Sequence, residues 1–226
     1  MATRNIGIFS DLHGGYANIL GLGNGGKNTW YDHVDFWVSC GDFFPDIAWY
    51  GSPYEKKGQL EWWNKNRNQF ISLLGGKPIL SVDGNHDAIS LHDQLKYHIP
   101  NSHKITHHSL CNILGISFAG FGATNLDASP KELREYSVRA CNLEPDILVT
   151  HSPSSTVLCH NKPEWGVLGL EDEINKHLNI RYHIHGHVHE DGGKTIQHPG
   201  TGRKTINVAR KLMIIQVETK AGENVA

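Results

Sequence analysis

The chain has 226 residues, a formal net charge of −2 at pH 7, and hydrophobic and charged fractions of 38% and 19%. A chain of this length buries a core without disulfide or metal support, and this balance is ordinary for a globular protein. A near-neutral charge without a long run of Lys or Arg excludes the electrostatic pattern of a protein that coats nucleic acid. We therefore expect a single domain over residues 1–226, with no obvious nucleic-acid-binding surface.

The four cysteines show no CxxC pairing. Cys40 and Cys111 adjoin apolar runs, where a thiol behaves as a small hydrophobic group. Residues 1–8 lack the basic start and long apolar core of a signal peptide, and no apolar run has the length needed to span a membrane. These features predict a cytoplasmic protein with reduced thiols and no membrane partner.

The N-terminal half alternates apolar, strand-like runs with segments of helical periodicity. Strands are predicted over residues 5–10, 34–40 and 78–82. Helices are predicted over residues 16–22 and 60–74, and a loop rich in Pro, Gly and aromatic residues over 43–58. This alternation is typical of parallel strands joined by crossover helices.

The C-terminal half contains more strand-like segments than helical ones. Strands are predicted over residues 112–119, 146–150, 181–184, 204–208 and 212–217. Helices are predicted over residues 131–141 and 170–178, with a loop over 152–166. We expect the last two strands to complete the sheet as antiparallel strands.

Polar residues suited to metal binding follow most of these strands. They are Asp11, His13, Asp42, Asn85, His86, His151, His187 and His189. Because the carboxyl ends of strands in α/β sheets converge on the ligand crevice, these distant residues are expected to meet in one site. Taken singly, Asp11 and Asp42 could be turn or helix-cap residues, and His151 a core histidine. The recurrence of the pattern along the chain favours a metal site.

Seven of these side chains are candidate ligands: Asp11, His13, Asp42, Asn85, His151, His187 and His189. They supply carboxylate, amide and imidazole donors, a mixture that suits Mn, Fe, Zn, Co or Ni. No thiolate is among them, which disfavours a structural zinc site. Since seven side chains exceed the needs of one ion, two ions that share a carboxylate fit the set better.

Five sequence blocks together resemble the signature of the calcineurin-like metallophosphoesterase superfamily, in the order that the family has them. The blocks are Asp11-x-His13, Gly41-Asp42, Gly84-Asn85-His86-Asp87, Thr150-His151 and Gly186-His187-x-His189. The resemblance implies an α/β fold of four layers, an α-β-β-α sandwich of two mixed sheets.

The resemblance also implies a role for each matching residue. Asp11, His13 and His189 would hold the first metal, Asn85, His151 and His187 the second, and Asp42 would bridge them. Manganese is the expected metal, with Fe, Zn, Ni and Co as alternatives. A metal-bridging hydroxide would attack the phosphorus, with His86 as general acid and Asp87 orienting His86 by a hydrogen bond.

The sequence differs from the motifs of the superfamily's phosphoprotein phosphatases, and these differences narrow the expected substrate class. Their Gly-Asp motif continues with an Arg that grips phosphate, whereas Asp42 is followed by Phe43-Phe44-Pro45-Asp46. The blocks at His151 and His187 resemble the small prokaryotic phosphodiesterases. We therefore expect a phosphodiesterase acting on small or nucleotide-like phosphoesters.

Two alternatives remain, a broad-range phosphomonoesterase and a non-catalytic binding module on the same fold. Trp49, Tyr50 and Tyr54 are predicted to line the substrate pocket, because they follow Asp42 in an aromatic loop. The run Ile206-Asn207-Val208-Ala209 stands where the phosphodiesterase branch often has Val-Asn-Pro-Gly. The sequence makes no prediction of oligomeric state.

Overall fold

The computed structural model describes residues 2–19, 30–49, 51–124 and 126–219, and in these ranges the strands form two mixed sheets. The strands of the first sheet are β1 (Thr3–Phe9), β2 (Phe36–Ser39), β3 (Ile79–Ser81), β4 (His103–Lys104) and β11 (Leu212–Glu218). Those of the second are β5 (Cys111–Ile113), β6 (Ile116–Phe121), β7 (Ile147–Thr150), β8 (Tyr182–His185), β9 (Thr195–Gln197) and β10 (Lys204–Asn207). The strand orders are β11-β1-β2-β3-β4 and β5-β6-β7-β8-β10-β9.

The inner strands of both sheets run parallel, as predicted for the N-terminal half. The exceptions are β11, which runs antiparallel to β1, and β5 and β9, which run antiparallel to β6 and β10. The prediction of two antiparallel final strands holds for β11, which pairs with β1, but β10 is antiparallel only to β9 and runs parallel to β8, and the two strands belong to different sheets. Their pairing is decided by partners far away in sequence, which local patterns do not reveal.

The helices are α1 (Tyr16–Ile19), α2 (Pro53–Leu74), α3 (Leu91–Leu95), α4 (Pro130–Asn142) and α5 (Leu170–Ile174). Helix α2 begins inside the predicted loop 43–58, where Ser52 caps it by accepting from the Tyr54 N–H, and it ends at Gly75 with φ 61°. This cap and the following Pro53 are typical of a helix start. The predicted start at residue 60 instead followed the apolar periodicity, which begins later in the chain. Part of the predicted helix 16–22 lies outside the described residues.

Several shorter elements differ from the predictions. The predicted strand 112–119 is a hairpin, because Leu114 (φ 50°) and Gly115 (φ 79°) turn the chain between β5 and β6. The short elements α3, β4 and β9 were not predicted, and α5 ends before the predicted 178. Among the described helices, none has the length and hydropathy needed to cross a bilayer.

Three apolar layers separate four layers of secondary structure. Between the sheets, side chains of both pack together, as in the edge contact of Phe36 with Phe118 at 5.8 Å between ring centroids. Outside the first sheet, Trp63 and Phe70 of α2 join its outer face. Outside the second sheet, Leu133 of α4 and Ile174 of α5 pack against its outer face. The α-β-β-α sandwich of two mixed sheets, in the α/β class, is thus confirmed.

The two sheets meet at the edge where their parallel strands end. An isolated parallel bridge joins Ser10 to Ala209, and the Arg210 N–H donates to the Ser10 carbonyl at 3.0 Å. Within each sheet, Asp11 N–H donates to Gly41 and Gly186 N–H donates to His151, both at 3.0 Å. The loops after β1, β2, β3, β7 and β8 are therefore brought together.

Candidate metal centre

The structure brings the seven predicted ligand residues together in two adjoining groups. Asp11, His13 and His189 form one group, and Asp42, His151 and His187 form the other, with the donor atoms of each group within 4.8 Å of one another. Asn85 Oδ1 lies 3.0 Å from His151 Nε2 and so belongs beside the second group. This is the division that the family resemblance implies.

Asp42 lies between the two groups. Its Oδ2 atom is 3.2 Å from His151 Nε2 and 3.9 Å from His13 Nε2, and the residue is 2% exposed. Its other oxygen accepts a hydrogen bond of 2.8 Å from the backbone N–H of His86. One carboxylate oxygen therefore faces imidazoles of both groups, as a shared ligand would.

The turns that carry these residues are strained. Asp11, His13, Asp42 and His187 have φ values of 55°, 42°, 51° and 67°, in the left-handed region. For residues with a Cβ this conformation is uncommon, costs on the order of 1–3 kcal/mol each, and clusters at functional sites. Sharp turns directly after the strands point the side chains back over the sheet edge.

Glycines in the motifs make room for the two buried carboxylates. A Cβ on Gly84 would lie 2.1 Å from Asp42 Oδ1, and one on Gly186 would lie 2.2 Å from Asp11 Oδ2. No side chain fits at such distances, so both positions require the close approach that only glycine allows. The glycines preceding Asn85 and His187 therefore serve the site directly.

Charge at the site is balanced between carboxylates and imidazoles. Burial alone would raise the pKa of Asp42, but His151 and the His86 N–H outweigh it and lower that pKa. Burial likewise opposes the charged form of His151, yet Asp42 and Asp11 raise its pKa to about 10. Burial lowers the pKa of His187 to about 4, so its imidazole is neutral at neutral pH and has a lone pair to offer.

His13 gives a direct test of whether the site fits metal ions. Both of its ring nitrogens are buried without a hydrogen-bond partner in the described structure, and its carboxylate neighbours Asp46 and Asp42 are 3.4 and 3.9 Å away. A buried polar group left in this way costs about 1–3 kcal/mol, which a bound cation would offset. The donor set therefore fits the metal pair.

Hydrogen bonds from the backbone orient the ligand side chains. His151 Nδ1 lies 2.7 Å from the carbonyl of Cys40, which directs Nε2 towards Asp42 and Asn85. The His187 N–H donates to both oxygens of Asp11, at 3.1 and 2.9 Å. Such outer contacts fix the tautomer and direction of metal-binding side chains.

Asp46 is a site residue that the sequence analysis missed. Its Oδ1 atom is 2.8 Å from His86 Nδ1, and its Oδ2 atom is 3.4 Å from His13 Nδ1. Asp87, predicted to orient His86, instead accepts the backbone N–H groups of Phe43, Phe44 and Gly84 at 2.9, 3.1 and 2.9 Å. The carboxylate beside His86 Nδ1 is thus Asp46, and Asp87 fastens the turns after β2 and β3.

The first turns of α2 hold the loops that carry Asp46 and His86. Gln59 donates to the His86 carbonyl at 2.7 Å and accepts from the Ala88 N–H at 2.9 Å. Glu55 accepts from the Ile47 N–H at 3.1 Å. Both side chains are buried, so the first turns of α2, which begin inside the predicted loop 43–58, support the site.

A cavity of about 610 Å³ opens beside these residues. It is lined by His13, Asp42, Asn85, His86, Leu126, Trp165, His187, His189, Glu190 and Arg210. Trp49 and Tyr54, each 73% exposed, are not among its described lining residues, and Tyr50 lies outside the described residues. Among the described lining residues, the aromatic wall of the cavity is Trp165, from the loop after β7, and neither Trp49 nor Tyr54 of the loop after β2 contributes to it.

Two solved structures are similar to this chain over most of its length. One similar solved structure is a conserved uncharacterised protein from Streptococcus pneumoniae TIGR4, a predicted phosphoesterase, with 13% identity, a TM-score of 0.42, and coverage of 96% of this chain and 85% of that chain. Another is vacuolar protein sorting 29 from Cryptosporidium parvum, with 10% identity, a TM-score of 0.43, and coverage of 91% and 73%. A search of curated proteins gives no significant match.

A family model described as calcineurin-like phosphoesterase matches residues 4–191. The matched range contains all five motifs and every residue of the two ligand groups. This chain therefore belongs to the calcineurin-like phosphoesterase family, which implies a phosphoester hydrolase with a dinuclear divalent metal site.

Proposed function

We propose that the protein is a dinuclear-metal-dependent phosphodiesterase acting on small or nucleotide-like phosphoesters. The observation that carries this proposal is the meeting of two ligand groups at the single carboxylate of Asp42. Two metal ions that share a ligand form a clamp suited to the in-line displacement of a phosphoester. The adjoining cavity offers space for a small substrate.

We assign Asp11, His13 and His189 to the first metal and Asn85, His151 and His187 to the second, with Asp42 bridging. Manganese is the proposed metal, because oxygen and imidazole donors without thiolate suit it; Fe, Zn, Ni and Co suit similar donors. When bound, the pair would polarise the phosphoryl oxygens and lower the pKa of an attacking water.

His86 is assigned the role of general acid. It lines the cavity, and its Nδ1 is paired with Asp46 at 2.8 Å. Asp46 thereby fixes the orientation of the ring, and Nε2 is the nitrogen that we assign to protonation of the leaving oxygen. In this proposal Asp46 takes the orienting role first given to Asp87.

Arg210 is assigned to the phosphate. It lines the cavity, and its backbone is tied to Ser10, next to Asp11. A guanidinium group matches phosphate oxygens in shape and charge. Among the described lining residues it is the only Arg or Lys, and one cation suits the single charge of a phosphodiester better than the two charges of a monoester.

The test compares hydrolysis of bis-p-nitrophenyl phosphate with that of p-nitrophenyl phosphate by the full chain loaded with Mn²⁺. We expect the diester to have the higher kcat/KM. A much higher value for the monoester would replace the proposal with a broad-range phosphomonoesterase. Bound metal without turnover of either ester would favour the binding module.

Metal binding should also be visible in thermal stability. An ion present at about 100 times its Kd stabilises the folded state by about 2.7 kcal/mol per site. For a chain of this size, each kcal/mol raises Tm by about 2–4 °C, so we expect a rise of roughly 5–10 °C per occupied site. Differential scanning calorimetry of EDTA-treated protein, before and after addition of Mn²⁺, measures it. An unchanged Tm would contradict the metal assignment.

A further inference from the structure

The loop 152–166 brings an aromatic ring to the cavity. Trp165 ends the short 3-10 turn Pro163–Trp165 and lines the cavity, with its ring centroid 6.2 Å from that of His187. His187 is one of the residues assigned to the second metal. The indole therefore stands one ring away from the place where the phosphoryl group would be held.

Lys162 fixes this indole in place. Its Nζ atom lies 3.7 Å from the Trp165 ring centroid and 3.0 Å from Glu190 Oε1. Cation–π and ion-pair contacts at a partly exposed site are individually weak, but here both act through one ammonium group. Because Glu190 follows His189 directly, the contacts of Lys162 with Trp165 and Glu190 connect the indole to the candidate metal centre.

The backbone of the loop is held as well. Leu158, His160 and Asn161 have φ values of 53°, 50° and 59°, a conformation that side chains with a Cβ adopt only when their surroundings impose it. The His160 N–H donates to Asp191 Oδ2 at 2.7 Å, which fastens the loop to the turn His189–Asp191. Trp165 is thus pre-organised at the cavity.

The chemistry of this wall indicates what it binds. Trp165 and Leu126, which is 61% exposed, offer apolar surface beside an otherwise polar site. The charge of Lys162 is matched by Glu190, so among the described residues this side of the cavity offers no unpaired cation for a second phosphate. An uncharged planar ring fits this surface, since any nucleobase can stack on an aromatic side chain.

We propose that Trp165 and Leu126 bind an aromatic ring, such as a nucleobase, on the ester group that stays with the phosphorus. Lys162 acts as the positioning residue for Trp165. This inference rests on the proposed function and deepens it by naming the substrate class. We place the ring on the retained group rather than on the leaving group because the two groups face different residues. His86, assigned to the leaving oxygen, lies beside His13, with 5.3 Å between ring centroids. Trp165 lies beside His187 instead.

The test uses two diesters with the same leaving group, thymidine 5′-(p-nitrophenyl) phosphate and methyl p-nitrophenyl phosphate, with the Mn²⁺-loaded full chain. The substitution Trp165→Leu should lower kcat/KM for the nucleoside ester by roughly 10-fold, mainly through KM, as expected for the loss of one stacked base. The methyl ester should change by less than about 2-fold, because the group that stays with its phosphorus is a methyl group with no ring to stack. Trp165→Phe should retain most of the preference.

Equal losses with both esters would overturn the inference, since they would indicate a merely structural role for Trp165. Lys162→Met should raise KM for the nucleoside ester selectively, as Trp165→Leu does. Lys162→Arg should keep KM for this ester at the wild-type value. A Lys162→Met variant with an unchanged preference would remove Lys162 from the inference.

A binding measurement separates failure of this inference from failure of the proposed function. If the wild-type protein hydrolyses neither diester, the proposed function fails, and calorimetry with thymidine 5′-monophosphate and methyl phosphate still tests the ring site. Tighter binding of the nucleotide that is lost in Trp165→Leu supports the inference. Equal affinity for the two ligands in the wild-type protein overturns it.

Discussion

Replacing Asp42 with asparagine should leave a folded protein that holds fewer than two metal ions. Its hydrolysis of phosphodiesters should be more than about 100-fold slower. This loss exceeds the one usually found when a residue that only hydrogen-bonds to a metal ligand is replaced. Asp42 Oδ2 faces both His151 and His13, so the lost charge is the one that both ions would share. Elemental analysis and kcat/KM for bis-p-nitrophenyl phosphate measure the two effects.

The substitution is chosen because it changes the charge and little else. The amide oxygen of asparagine can still accept the His86 N–H that Asp42 Oδ1 accepts at 2.8 Å, and its size suits the space that Gly84 leaves. The matched control is Asp93→Asn, which removes an exposed carboxylate paired with Lys96. That control should keep both metals and full turnover, and an Asp42→Asn protein that did the same would refute the bridging role.

The residues of the two ligand groups were predictable from the sequence because each lies in the loop that follows a strand. A parallel strand brings its last residues to the carboxyl edge whatever its partners are, so strand ends alone place Asp11, Asp42 and His187 near one another. The positive φ values at these three residues show how local the geometry is, since each turn reverses within one or two residues. Their metal-binding roles remain proposals.

The residues that support and surround these groups could not be found in this way. Asp46 meets His86 where Glu55 and Gln59 of α2 hold both loops; Glu55 lies in the segment predicted as a loop, and Gln59 lies between that loop and the predicted helix. Trp165 comes from a loop whose path depends on contacts with the turn after β8. Such placements depend on contacts between distant segments, which no local pattern reports.

The same dependence on distant contacts explains why Arg210 was not predicted as a site residue. It follows the run 206–209, where the chain departs from the motif of the phosphodiesterase branch, and no pattern marks it as a site residue. In the structure, Asn207 donates to the Val188 carbonyl at 2.9 Å and accepts from the Ala209 N–H at 2.9 Å. These contacts place Arg210 at the cavity next to the loop of His187 and His189. Asn207 thus serves the site although its neighbours differ from the motif.

Replacing His86 with alanine should slow hydrolysis of a nucleoside diester with an alkoxide leaving group by about 10²–10⁴-fold, the usual contribution of a general acid. Hydrolysis of bis-p-nitrophenyl phosphate should change far less, because p-nitrophenolate leaves without protonation. Metal content should stay the same, since His86 contacts Asp42 through its backbone N–H, which alanine keeps. The measurements are kcat for both esters and elemental analysis.

Asp46→Asn provides the companion measurement, because Asp46 would act only through His86. With the alkoxide diester it should cost roughly 10-fold, the range found for partners that orient a functional imidazole. In the double variant it should add little to the loss caused by His86→Ala, because residues that act as a unit are not additive. Equal losses of His86→Ala with both leaving groups, or loss of metal, would remove His86 from the acid role. A full additional loss from Asp46→Asn in the double variant would instead place Asp46 with the proposed metal ligand His13, which it approaches at 3.4 Å.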